Sequence, residues 1–93
     1  MITIRIRKNG FQMNGHAGYN PGNDIVCSAI SALTCTLLES LRSLTDSVFS
    51  AETGSGKTIV EWQALSDTGK VLVDAWFMGV ALINQQYKCI SFE

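Results

Sequence analysis

Residues 23–46, NDIVCSAISALTCTLLESLRSLTD, read as one long helix, and the rest of the fold is laid out on either side of it. Val26, Ile30, Leu33, Leu37, Leu41 and Leu44 recur every three or four residues, which sets them on one apolar stripe that must be buried. Asn23 and Asp24 are both good N-caps, because their side chains accept amide hydrogens that a first helical turn leaves unpaired. With Asp24 as the cap, Cys27 is the third helical residue, and Ser31 follows one turn later on the same face.

Upstream, residues 2–7 alternate β-branched and polar side chains, Ile-Thr-Ile-Arg-Ile-Arg, and Asn9-Gly10 is a favoured two-residue hairpin turn. A second strand over about 11–17 carries His16 toward its far end, and Gly18–Asn23, with Pro21-Gly22 at its centre, reads as an exposed, mobile loop. Downstream come strands over about 47–52 and 57–63, joined by Gly54-Ser55-Gly56. A second helix over about 68–87 carries the stripe Leu72, Trp76, Gly79, Val80, Ile83 and Tyr87, and Cys89–Phe92 reads as a closing strand. The order ββαββαβ predicts an α/β two-layer sandwich, a small mixed sheet with two helices on one face. Val73, Phe77 and Met78 fall outside the second helix's stripe, which fits either a wide core face or a homodimer contact.

A chain of 93 residues, 46% apolar and 16% charged, is a single globular domain over 1–93. A net charge of −1 leaves no basic footprint for nucleic acid. Arg5 and Arg7 alternate with isoleucines, as on the wet face of a strand. Three cysteines, no signal peptide and no apolar run read as long enough to span a bilayer point to a reducing cytoplasm without disulfides and away from membranes. Cys27, Cys35, Cys89 and His16 make a nominal zinc set, but without a C-x-x-C pair no metal and no cofactor is expected. Gly54-Ser55-Gly56-Lys57-Thr58 imitates the end of a phosphate-binding loop. Ala51 stands where that motif needs its first glycine, and a strand follows where it needs a helix, so the segment reads as a hairpin tip.

The residues that carry chemistry are His16 and Cys27. A thiol becomes a nucleophile when its anion is stabilised, and a neighbouring histidine and the positive end of a helix are two ways to do it. In the other reading Cys27 is a small buried hydrophobe. Amides near 26–28 are candidate oxyanion donors, and Asp24 either caps the helix or orients His16. Ser31 either serves the site or bonds back to a carbonyl one turn earlier.

Gly-His-Ala at 15–17, Asp-Ile-Val-Cys at 24–27 and Ser31 together resemble the ribosomal-processing cysteine proteases called Prp, over nearly the whole chain. The resemblance implies a single cysteine endopeptidase domain with His16 and Cys27 as the catalytic dyad and Asp24 and Ser31 in support. It also implies a homodimer whose partner is a ribosomal protein substrate, large-subunit protein twenty-seven, losing an N-terminal extension after an aromatic residue in an apolar stretch. Ser28 departs from the small apolar residue common there, and the stretch from His16 to Cys27 is short. Relatives acting on phage structural proteins are a further expectation, and the competing classes are a non-catalytic peptide-binding module and a ribosome-assembly module.

Overall fold

The computed structural model describes residues 1–16 and 24–93, so the Gly18–Asn23 turn and the candidate cap Asn23 lie outside the described residues. The elements follow the expected order: β1 (Ile2–Arg7), β2 (Gly10–Gly15), α1 (Ile25–Leu44), β3 (Val48–Gly54), β4 (Lys57–Ala64), α2 (Asp67–Tyr87) and β5 (Ile90–Phe92). The sheet runs β3-β4-β2-β1-β5, antiparallel except where β5 lies parallel to β1. It is the mixed five-stranded layer of a two-layer α/β sandwich.

Alternation decides which face of the sheet is covered. Ile2, Ile4, Phe11, Met13 and Val60 point to one side and are buried with Val26, Ile30, Leu37 and Leu41 of α1 and Trp76 and Val80 of α2. Arg5 and Arg7 point to the other side, where Arg5 meets Glu93 at 3.3 Å and Arg7 donates to Gln12 at 3.5 Å. They are the wet strand face that the alternation predicts.

The first turn differs from expectation. Arg7 pairs with Gly10, so the two-residue loop is Lys8-Asn9, and neither of these adopts the positive φ that Asn-Gly would supply in a type I′ turn. Gly10 is needed for a different reason, since a Cβ there would sit 2.0 Å from the Val60 carbonyl oxygen of the neighbouring strand. The apolar stripe of α1 also shifts. Leu44 is exposed, while Thr34 and Leu38 are buried, because α2 lies alongside α1 and widens its covered face. Thr34 tolerates this position by donating to the Ile30 carbonyl and accepting the indole N–H of Trp76 at 3.0 Å, while that indole stacks on Phe11 with centroids 4.1 Å apart. In length and mean hydropathy, 1.4, α1 does match a membrane-crossing helix, contrary to the sequence expectation. Its buried stripe is part of the core beneath the sheet.

α1 stops at Leu44, two residues short of its predicted end, where the Thr45 hydroxyl turns back to the Leu41 carbonyl at 2.7 Å. Ser47 then ties the two helices together. Its hydroxyl accepts the Ser66 amide hydrogen at 3.1 Å, and Ser66 caps α2 by accepting from Gly69 at 3.0 Å. At the far end α2 closes on Lys88 in the left-handed region, with φ 52°.

Candidate active site

The chemistry-bearing residues converge where β2 ends and α1 begins. His16 follows the last residue of β2 and is exposed, and Cys27 lies in the first turn of α1, half-buried against the core. Both line a cleft of about 310 Å³ whose walls also include Ile2, Met13, Ile30 and Ser31. Three of the four predicted site residues therefore share one cavity.

Asp24, the fourth, is placed as a cap. Its Oδ1 accepts the amide hydrogens of both Val26 and Cys27 at 3.0 Å, the arrangement that fixes a first helical turn. The Ser28 amide is taken as well, donating to the Asp24 carbonyl at 3.1 Å. This corrects the expectation that amides at 26–28 meet an oxyanion, because all three hydrogens are already directed at Asp24. Ser31 is exposed on the cleft wall, and among the described residues its hydroxyl makes no hydrogen bond back into the helix.

The part of the site that local sequence reading misses is the β3–β4 tip. Gly54, Ser55, Gly56, Lys57 and Thr58, the segment that imitates a phosphate-binding loop, forms the opposite wall of the cleft. It is a hairpin tip, as its flanking strands predicted, and it is locked to the end of β2 because the Gly15 amide donates to the Gly56 carbonyl at 2.8 Å. Gly56 has a φ of +70°, and a Cβ there would lie 2.8 Å from Nε2 of His16. The imidazole rests against bare backbone. The only sequence hint was the pair of glycines flanking Ser55 at the tip.

The cysteines occupy three environments: Cys27 half-buried at the cleft, Cys35 exposed and Cys89 buried, all as free thiols. Burial pushes the Cys89 thiol above its ordinary range, and the electrostatic influence of nearby Asp24 and Cys27 adds to the rise. Among the described residues no three His, Cys, Asp or Glu side chains gather as a metal-holding group.

Known proteins share this fold, and one family profile matches the sequence. The profile of the family described as Cysteine protease Prp matches residues 1–90. The S. aureus ribosomal processing protease Prp, solved with a covalently linked product peptide, superposes with a TM-score of 0.89 at 21% identity, covering 100% of this chain and 98% of that one. The same S. aureus protease with a substrate peptide gives 0.79 at 17% identity, covering 99% and 95%. SMU.848 from Streptococcus mutans gives 0.77 at 23% identity, covering 99% and 90%. No curated protein matches the sequence.

Proposed function

This chain belongs to the cysteine protease Prp family, and from that membership we propose that it is an endopeptidase working through His16 and Cys27. The observation that carries the reading is the single cleft lined by the imidazole, the helix-start thiol and the Ser31 hydroxyl. His16 accepts the proton of Cys27, and the thiolate attacks the carbonyl carbon of the scissile bond. A C–S bond forms, the C–N bond breaks, and the imidazolium returns its proton to the departing amine. Water, deprotonated by His16, then hydrolyses the thioester and restores the thiol. Asp24 contributes by holding the first turn of α1, and with it Cys27, in place. None of these steps needs a cofactor.

The substrate in this reading is the N-terminal extension of large-subunit ribosomal protein twenty-seven. The S. aureus Prp structures with product and substrate peptides support a peptide occupant for a cleft of this shape. The apolar floor of Ile2, Met13 and Ile30 suits an apolar segment. The working unit is a homodimer in the cytoplasm, where three free thiols persist. Val71, Met78 and Leu82 form an exposed apolar stripe along α2, and Phe77, packed against Phe92 at 5.4 Å, continues it.

Intact mass of an extended ribosomal protein twenty-seven, incubated with this protein or with its Cys27→Ala variant, tests the proposal. A defined N-terminal loss with the native protein alone is expected. Retention of full length with both, together with co-purification of the uncut protein, would replace the peptidase with a binding module.

A further inference from the structure

We infer that Thr58, on the hairpin wall of the cleft, is a substrate-contacting residue whose hydroxyl donates a hydrogen bond to the scissile carbonyl oxygen. The inference rests on the peptidase reading above and adds to it the donor that the helix start does not supply. The amides of Val26 and Cys27 are held by the Asp24 carboxylate and that of Ser28 by the Asp24 carbonyl. A negative oxygen developing beside Cys27 must find its donor elsewhere.

The register of the sheet brings Thr58 to that place. Thr58 pairs with Met13, whose side chain is buried on the helix-covered face, and Val60, two residues on, is buried on the same face. Period-two alternation therefore turns Thr58 toward α1, and it lines the cleft together with Cys27, Ile30 and Ser31. Its hydroxyl stands apart from those of the core and the helix junctions. Thr34, Thr45, Ser47 and Ser66 all spend their hydroxyls on hydrogen bonds. Among the described residues the Thr58 hydroxyl makes none, although the residue is half-buried. No fully buried side-chain oxygen or nitrogen among the described residues lacks a partner, so this unpaired hydroxyl is open to solvent, and the residue that carries it lines the cleft. A strand holds it more rigidly than a loop would, and the hydrogen bond from Gly15 to Gly56 fixes the neighbouring tip. Ser31 faces the same space from α1, so a bound peptide runs between a hydroxyl on each wall.

The test compares Thr58→Val with Thr58→Ser on a synthetic peptide spanning the extension and cut of ribosomal protein twenty-seven. Valine keeps the β-branched shape that suits a strand, and a melting curve confirms the fold. Thr58→Val is expected to lower kcat/KM roughly tenfold or more, chiefly through kcat, while Thr58→Ser keeps most of the activity. A valine variant that cleaves like the native protein overturns the inference. The same substitutions in a Cys27→Ala background are read by peptide binding. If the native protein cuts nothing but Thr58→Val still weakens binding severalfold, Thr58 stands as a carbonyl donor and the peptidase reading fails. Equal binding, or none, with no cutting overturns both.

Discussion

At the scale of single residues, the site depends on atoms that are missing as much as on those present. A methyl group at position 56 would meet the imidazole of His16 and would also force a side chain into a left-handed backbone. Gly56→Ala is therefore expected to cost about 1–2 kcal/mol of stability from the backbone. Because the exposed ring can swing away, the variant should also lose most of its peptidase turnover. Unchanged turnover with only a lowered Tm would mean that the tip supports the fold and not the histidine. Asp24 gives the opposite pattern. Asp24→Ala should lower unfolding free energy by about 1 kcal/mol, and Asp24→Asn, which still caps, should recover most of it. Denaturant titration of the three proteins decides. Cys89 adds a pH dependence whose sign follows from its raised pKa. Below about 8.5 the thiol is protonated in folded and unfolded chains alike and contributes no slope. Above that the unfolded chain ionises first, so stability falls as pH rises until the folded thiol also ionises. Urea midpoints at pH 8 and pH 10 should diverge for the native protein and converge in a Cys89→Ala variant.

At the scale of elements, the joint between the helices includes a buried polar link from the Trp76 indole to the Thr34 hydroxyl, beside the Ser47–Ser66 tie at its end. Thr34→Val should cost about 1–3 kcal/mol because it leaves a buried N–H without a partner. Adding Trp76→Phe, which removes that N–H, should make the pair cost less than the sum of the single changes. Additive losses in chemical denaturation would show that the link contributes no coupling. Most elements were legible because their signals are local: alternation in Ile2–Arg7, the stripe from Val26 to Leu41, and Asp24 ahead of it. The misreadings came from neighbours far along the chain. Gly10 looked like a turn glycine, while its real constraint is the Val60 carbonyl on another strand. Leu44 continued the stripe in sequence but extends past what α2 covers. The His16–Cys27 pair could be read from spacing and helix-start chemistry, whereas the hairpin wall could not. Its place in the site depends on β2 and β4 pairing in one register, Met13 against Thr58, which no local pattern encodes.

At the scale of the whole molecule, α2 leaves Met78 66% and Leu82 65% exposed, a costly arrangement unless something covers them. Met78→Lys is expected to shift the protein from dimer to monomer in light scattering after gel filtration, with the fold retained. A native protein that is monomeric at micromolar concentration would remove the dimer from the proposal. The pairing of β1 with β5 bears on when the protein becomes competent. Ile2, on the floor of the cleft, donates its amide hydrogen to the Cys89 carbonyl at 2.8 Å and aligns with Ile90. During synthesis, which proceeds at about 5–20 residues per second, β1 leaves the ribosome well before β5, its neighbour in the sheet. The thiol and the imidazole are thus made before the strand that closes the outer edge of the sheet beneath them. The cleft floor is therefore complete only once β5 has docked beside β1.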